Sequence, residues 1–276
     1  MSTDARGGIA LVIAAVTSLQ FGAGFAVTLF DELGPGGAAF LRQAFAAVVL
    51  IAIWRPRLAG HALVDIRLAA AFGLVLGVMN WAIYSAMDRI PLGIAVTIEF
   101  AGPLAVAVIG SRRALDLLWV ALAAGGILLL ADPGGGSLDS AGVAFALLAA
   151  TMWAFYILLS ARVGQVFPGG SGLALAMVAA VMITAPFGIS QAGSELLSPE
   201  LLAAGAAVAL ASSVIPYSLE LEALRRLPAR VFGVLMSLEP AVAAIAGLVV
   251  LGQALDALEW VAIGLVVVAG IGVTST

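Results

Sequence analysis

Ten apolar stretches take up most of this 276-residue chain. Each is close to the roughly 20 predominantly apolar residues that a helix needs to cross the hydrocarbon core of a bilayer. They lie at about residues 8–29, 36–54, 67–86, 92–110, 116–131, 138–160, 171–190, 200–221, 230–251 and 256–273. The connections between them are short, carry most of the charged residues and leave no room for a soluble domain. The pattern predicts an all-α integral membrane protein with ten transmembrane helices.

The composition excludes several classes of function. Hydrophobic residues make up 63% of the chain and charged residues 10%, whereas soluble domains contain about 25% charged residues. The chain has no cysteine and one histidine, His61, which lies in a charged loop, so we expect no disulfide, metal site, cofactor or thiol nucleophile. All 12 basic residues are arginine and form no basic stripe with interleaved aromatics, which argues against nucleic-acid binding.

The second half of the sequence repeats the first. Residues 86–91 match residues 223–228 at a separation of 137, and Pro103 matches Pro240 at the same separation. Residues 8–21 match residues 142–155. The apolar run from residue 8 to about residue 29 is too long for the core of a signal peptide, which predicts that it is the first span. An odd number of spans in each repeat turns the two repeats upside down relative to each other. We therefore predict two domains, residues 1–134 and 135–276, as inverted five-helix repeats around a central cavity.

The arginines predict the orientation. With the N-terminus inside, ten of the 12 lie in cytoplasmic segments, the outer loops hold only Arg89, and Arg42 lies within a span. Cytoplasmic loops of membrane proteins carry an excess of basic residues. Both termini are therefore predicted to be cytoplasmic.

Four charged residues fall inside the apolar stretches. They are Arg42, Glu99, Glu220 and Glu239. A charge at the centre of a membrane helix costs at least about 2.5–3.5 kcal/mol, so each of the four is a candidate for function.

The two sharpest candidates are glutamates close to a proline. Glu239 precedes Pro240, which removes one helix hydrogen bond and leaves a backbone carbonyl unsatisfied. Glu99 lies one helical turn before Pro103 in the other half. A carboxylate beside a broken helix turn can bind an ammonium group or a proton. The alternative for either residue is a protonated side chain bonded to a neighbouring helix.

The other two charges have stronger competing interpretations. Arg42 can bind a carboxylate through two parallel hydrogen bonds, but it can also reach the outer surface or pair with the acidic residues 31–32. Glu220 lies near the inner end of its span with Glu222 and Arg225 close in sequence, which favours a local ion pair.

Polar and aromatic side chains on other spans are further candidates for the cavity wall. They are Gln20, Asn80, Trp81, Tyr84, Trp153, Tyr156, Ser213 and Tyr217. Asn80 and Tyr217 are 137 residues apart, which favours an inward position for both. Tryptophan and tyrosine near span ends more often belong to the belts at the membrane interface.

Five stretches from both halves carry a resemblance to a known family. They are residues 89–96 (RIPLGIAV), 99–107 (EFAGPLAVA), 153–158 (WAFYIL), 215–220 (IPYSLE) and 235–241 (LMSLEPA). In these five stretches the chain resembles the EamA branch of the drug/metabolite transporter superfamily. Within that branch it resembles the threonine/homoserine exporters of bacterial inner membranes. The resemblance implies a ten-helix fold with a central cavity. It also implies proton-driven export of small neutral amino acids.

The residues leave room for other functions. In an amino-acid exporter working by alternating access, Glu99 and Glu239 would bind the ammonium group or a counter-transported proton, and Arg42 the carboxylate. An exporter of another metabolite or of a hydrophobic cation on the same fold also fits the two acids and the aromatics. An intramembrane enzyme is disfavoured, because no cluster of paired aspartates, histidines or lysines lies within a span.

Overall fold

A computed structural model describes residues 3–57, 60–109, 115–131 and 138–275 of the chain. The α-helices are α1 (Thr3–Val27), α2 (Phe30–Trp54), α3 (Leu63–Met87), α4 (Leu92–Glu99), α5 (Ala101–Ile109), α6 (Leu115–Ala131), α7 (Ser140–Val166), α8 (Ser171–Ala192), α9 (Pro199–Ala209), α10 (Ile215–Arg226), α11 (Ala229–Met236), α12 (Glu239–Leu251) and α13 (Ala257–Ser275). A 3₁₀ helix at Gly193–Leu197 follows α8, and a π-helical turn at Leu210–Val214 joins α9 to α10. Within these four ranges there is no β-strand.

Eight helical stretches in the described part are long and apolar enough to cross a membrane. They are Arg6–Val27, Phe30–Trp54, Leu63–Met87, Ser140–Val166, Ser171–Leu197, Pro199–Arg226, Val231–Leu251 and Ala257–Thr274. The predicted spans at residues 92–110 and 116–131 correspond to two shorter apolar helices, Leu92–Ala107 and Leu117–Leu130. An all-helical chain with many apolar spans is thus confirmed, whereas the count of ten and the inverted arrangement remain predictions. The predicted domain boundary at residues 134 and 135 lies outside the described residues.

Two helices are interrupted close to a proline in corresponding parts of the two halves. The first ends as α4 at Glu99 and continues as α5 from Ala101, two residues before Pro103. The second ends as α11 at Met236 and continues as α12 from Glu239, next to Pro240. Proline has no N–H to donate to the carbonyl four residues earlier, so the helix ladder loses a bond at each place. Both buried glutamates therefore lie at helix ends.

A kink near the start of α2 is held by a side chain from another helix. Gly34 has φ +66°, a backbone conformation that favours glycine, and Pro35 follows it. The N–H of Gly36 donates to Oε1 of Gln191 on α8 at 2.7 Å, which satisfies a donor that the kink has removed from the helix ladder.

Helices of the two halves pack mainly against each other. The most extensive neighbours are α2 with α8, α3 with α7, α3 with α8, α6 with α13, α1 with α10 and α4 with α12. Small residues make these approaches close: a Cβ on Gly73 would overlap the carbonyl oxygen of Ala176, and one on Gly102 the carbonyl oxygen of Ala150. The largest buried apolar cluster draws on residues from both halves, so they share one core.

Candidate functional site

A cavity of about 460 Å³ lies between the helices and is bordered by residues of both halves. Small-molecule sites are typically cavities of about 300–1,000 Å³, so its size suits a small ligand. Eleven of the residues singled out from the sequence border the cavity: Gln20, Arg42, Asn80, Tyr84, Glu99, Pro103, Trp153, Tyr156, Tyr217, Glu220 and Glu239. Three others, Trp81, Ser213 and Pro240, do not border it, and Pro240 is buried beside Glu239.

Arg42 is a buried cation whose hydrogen-bond partners are all neutral. Its side chain is 6% exposed. Nε donates to Oγ of Ser213 at 2.9 Å, Nη1 to the hydroxyl of Tyr84 at 3.2 Å, and Nη2 to the carbonyl of Ser212 at 3.0 Å. No carboxylate in the part of the chain that the structure describes lies within 4.0 Å of it. The alternatives of a surface position or a pair with residues 31–32 are therefore wrong, and the guanidinium is available to a carboxylate in the cavity.

The π-helical turn Leu210–Val214 positions Arg42. It supplies two of the three arginine partners, the side chain of Ser213 and the carbonyl of Ser212. The turn is itself fixed to α1, because Oγ of Ser18 donates to the carbonyl of Ala211 at 2.6 Å. Gly22 touches the same turn so closely that a Cβ there would lie 2.9 Å from Cβ of Ser212. Sequence reasoning missed this π-helical turn, because its residue types would also suit an ordinary α-helix.

Three carboxylates border the cavity. Glu99 is 9% exposed and ends α4, while Glu239 is 2% exposed and begins α12. The start of a helix carries partial positive charge and favours a carboxylate. Oε1 of Glu239 is buried and has no hydrogen-bond partner in the described part of the chain.

The third carboxylate, Glu220, is not in the ion pair expected for it. That pairing belongs to Glu222, which binds Arg225 at 3.3 Å and Arg226 at 2.6 Å. Glu220 is half-buried and faces the cavity instead. The correction follows from helix geometry, since residues two apart on a helix point in different directions.

A polar network behind the cavity was also missed by sequence reasoning. Oγ1 of Thr184 on α8 donates to Oε1 of Gln43 on α2 at 2.8 Å, and both residues are buried. Nδ2 of Asn80 donates to the carbonyl of Leu76 at 2.8 Å, and Nε2 of Gln43 donates to the same carbonyl at 3.5 Å. The feature of the sequence that could have predicted this network is a glutamine and a threonine within otherwise apolar spans. The network orients Asn80, which borders the cavity.

Tyr156 separates the central cavity from a smaller one. The second cavity has a volume of about 140 Å³ and lies beside Phe72, Ser160 and Gly169, near the connection between α7 and α8. Tyr156 borders both cavities, and its ring is 5.1 Å from that of Phe72. Among the described residues, no group of three or more acidic or histidine side chains is arranged to hold a metal ion.

Comparison with known proteins identifies related transporters. Threonine/homoserine exporter RhtA of Escherichia coli strain K12 is 42% identical over 274 residues, which is 97% of this chain and 91% of that protein. The protein of the same name from Salmonella typhimurium strain LT2 is also 42% identical over the same shares. A crystal structure with 18% sequence identity superposes with a TM-score of 0.62 over 95% of this chain and 96% of the other, and thus has the same overall fold.

The relatives are bacterial and are named as exporters, which confirms the prediction of a transporter rather than an enzyme. Residues 140–275 match the family described as EamA-like transporters. Given this match and 42% identity along nearly the whole length, the chain belongs to the EamA-like transporter family.

Proposed function

We propose that this protein exports small neutral amino acids, threonine and homoserine among them, across the bacterial inner membrane by alternating access. The observation that carries the proposal is the 42% identity, over 97% of the chain, to exporters named for these two amino acids. The cavity supports it, since one wall offers an arginine without an acidic partner and others offer carboxylates. A zwitterion leaving water needs a partner for each of its charges.

Arg42 is the proposed partner of the substrate carboxylate. Its guanidinium presents a planar set of donors that matches a carboxylate through two parallel bonds. The neutral groups that now hold it, on Tyr84, Ser212 and Ser213, fix its direction without neutralising its charge. A carboxylate arriving from the cytoplasm therefore meets a guanidinium whose hydrogen-bond partners in the described residues are all neutral.

Glu239 and Glu99 are the proposed partners of the ammonium group and of a counter-transported proton. Glu239 has a buried oxygen without a hydrogen-bond partner, and an ammonium group supplies the donor that it lacks. Glu99 borders the same cavity from α4, so one carboxylate can hold the substrate while the other exchanges a proton. In the proposed cycle, substrate leaves to the outside and a proton returns.

The proposed membrane topology has ten spans in two inverted repeats, residues 1–134 and 135–276, with both termini in the cytoplasm. The two shorter apolar helices, Leu92–Ala107 and Leu117–Leu130, complete the ten. Support comes from the helix breaks near Pro103 and Pro240, which occur in corresponding spans of the two halves. Rocking of one repeat against the other opens the cavity to each side in turn.

Because the chain has no cysteine, single cysteines report the topology without background. Asp88 and Arg162 are both exposed in the structure. In intact cells, a membrane-impermeant thiol reagent should label Asp88→Cys and leave Arg162→Cys unmodified until the cells are opened. The reverse labelling pattern would reverse the proposed orientation.

Counterflow of radiolabelled threonine in proteoliposomes tests the transport function. We expect saturable threonine exchange that homoserine blocks, and net threonine flux that depends on a proton gradient. Glu239→Gln and Glu99→Gln should each strongly reduce the exchange. Normal exchange by both variants would remove the carboxylates from the mechanism. Absence of threonine exchange in the wild type would overturn the substrate assignment.

A hydrophobic cation is the second candidate substrate. Three carboxylates and only one basic side chain border the cavity in the described residues, and Trp153, Tyr156 and Tyr217 supply aromatic faces. A lipophilic cation included as a competitor separates the two functions. It should leave threonine counterflow unchanged if the amino acid is the substrate, and it should itself be transported if the cation is.

A further inference from the structure

Two buried acceptor atoms in the cavity wall have no hydrogen-bond partner among the residues that the structure describes. They belong to Glu239 and to Gln20, whose side chain is 4% exposed. By contrast, Asn80, Ser237 and Thr274 each donate to the backbone carbonyl four residues earlier. A buried amide oxygen without a donor costs free energy, and buried polar groups usually have partners. The unused oxygen of Gln20 therefore points to a donor that arrives with a ligand.

The position of Gln20 in α1 makes it part of the same site as Arg42. Leu19 and Ala23 also border the cavity, so this stretch of α1 faces it, with Gln20 as its polar member. On either side of Gln20, Ser18 and Gly22 hold α1 against the π-helical turn Leu210–Val214. The same turn holds Arg42, so the amide and the guanidinium are fixed relative to one another.

We propose that Gln20 binds the side-chain hydroxyl of the substrate and thereby selects hydroxylated amino acids. The inference rests on the proposed function. The two amino acids for which the relatives are named, threonine and homoserine, share a hydroxyl on a short side chain. A neutral amide suits a neutral hydroxyl, whereas the carboxyl group of Glu239 suits the ammonium group. An amide both accepts and donates, as a hydroxyl does, so the pair can be fully satisfied.

Gln20 borders the cavity, so a ligand there lies next to its side chain. The terminal torsion of a glutamine side chain has a broad energy profile, so the amide can turn towards the cavity when a donor is present. Valine has nearly the shape of threonine with a methyl group in place of the hydroxyl. When valine binds, the Gln20 oxygen stays unpaired, and a site built to bind a hydroxyl discriminates against the analogue that lacks it.

The test compares hydroxylated substrates with their apolar isosteres in threonine counterflow. Threonine is paired with valine, and homoserine with norvaline, as unlabelled competitors. The wild type should prefer each hydroxylated member. Gln20→Met, which keeps the length of the side chain and removes its polar atoms, should lower the preference by about tenfold or more, the value of one hydrogen bond. The loss should appear as weaker threonine binding with valine binding unchanged or improved.

Ile13→Met provides the control, because Ile13 lies on the same helix as Gln20 but is exposed and outside the cavity wall. Its threonine-to-valine ratio should equal that of the wild type. Gln20→Leu is a second variant, and valine exchange by either variant demonstrates a folded transporter. An unchanged ratio in both Gln20 variants, or equal loss of threonine and valine exchange in folded protein, would refute the assignment. A wild type without threonine exchange would instead refute the proposed function itself.

Discussion

Arg42 concentrates much of the chemistry of the site in one side chain. It is a cation within an apolar chain, and its guanidinium nitrogens donate hydrogen bonds to a tyrosine hydroxyl, a serine hydroxyl and a backbone carbonyl. Lysine carries the same charge on a single ammonium group, so it cannot reproduce this geometry. The residue therefore offers a way to separate the contribution of charge from that of shape.

Arg42→Lys should weaken threonine binding by about tenfold or more while preserving the fold, since hydrogen bonds to charged groups contribute roughly 1.5–3 kcal/mol. The measurement is the half-saturation concentration in threonine counterflow. Arg162→Lys is the control, because Arg162 is exposed and lies outside the cavity. Equal half-saturation in Arg42→Lys and the wild type would show that the guanidinium does not bind the substrate.

Asp139 illustrates a different use of charge, outside the membrane. Its carboxylate accepts the N–H of Ala141 at the start of α7 and pairs with Arg89 at 3.1 Å. These contacts, the backbone bond first, hold the pKa of Asp139 below its usual range. The carboxylate therefore stabilises the fold at pH values above its unfolded pKa of about 3.9, and the stabilisation is lost as the pH falls through the folded value.

Asp139→Asn keeps a side-chain oxygen to cap α7 but removes the charge. We expect the variant to melt at a lower temperature than the wild type at pH 7, with the difference closing as the pH is brought below about 4. Thermal unfolding of both proteins in detergent across this range provides the measurement. A difference that stays constant with pH would mean that the charge of Asp139 contributes nothing.

At the scale of the helices, the sequence was informative where a residue imposes its own geometry. The sequence pointed to a weakened helix ladder at Pro103 and Pro240, because proline lacks the N–H that the ladder needs. The π-helical turn Leu210–Val214 was not predictable, since its Leu-Ala-Ser-Ser-Val sequence would also suit an ordinary helix. Its geometry is associated with contacts to Ser18 and Arg42, which are distant in sequence.

Close helix contacts can be tested at Gly73, where α3 meets α8. Gly73→Ala should lower the free energy of unfolding by about 1–3 kcal/mol, because the added methyl group would overlap the carbonyl oxygen of Ala176. Gly264→Ala on α13 is the matched control, since nothing lies within 4 Å of a Cβ at that position. Thermal or denaturant unfolding in detergent distinguishes the two. Equal stability of both variants would contradict the close approach of α3 and α8.

For the molecule as a whole, hydropathy and the internal repeat predicted the helical membrane architecture but not the pairing of helices. Apolar periodicity records that a helix is buried and carries no information about its neighbour. The packing of α3 on α8 depends on shapes such as those at Gly73 and Gly77, which fit against Ala176 and Ala180. Likewise, the sequence identified Glu99, Glu239 and Arg42 as candidates, but only the fold brings them around one cavity.

Residues 1–134 and 135–276 should not accumulate as separate stable halves, because the main packing surfaces of each are covered by the other. Expressed alone, each half should be degraded in the membrane. Expressed together as two chains, they should protect one another and restore threonine exchange. Immunoblots of membranes and counterflow measure both effects, and stable accumulation of either half by itself would disprove a shared core.

The pairing of helices also sets the order in which this protein can be assembled during translation. Helices α1, α2, α3, α4 and α6 leave the ribosome before their partners α10, α8, α7, α12 and α13 have been synthesised. The early helices must therefore reside in lipid, or against the insertion machinery, until the later ones arrive. Gly270 of α13 belongs to the wall of the cavity, so the wall is incomplete until α13 is in place. A chain truncated before α13 therefore leaves the cavity open on that side.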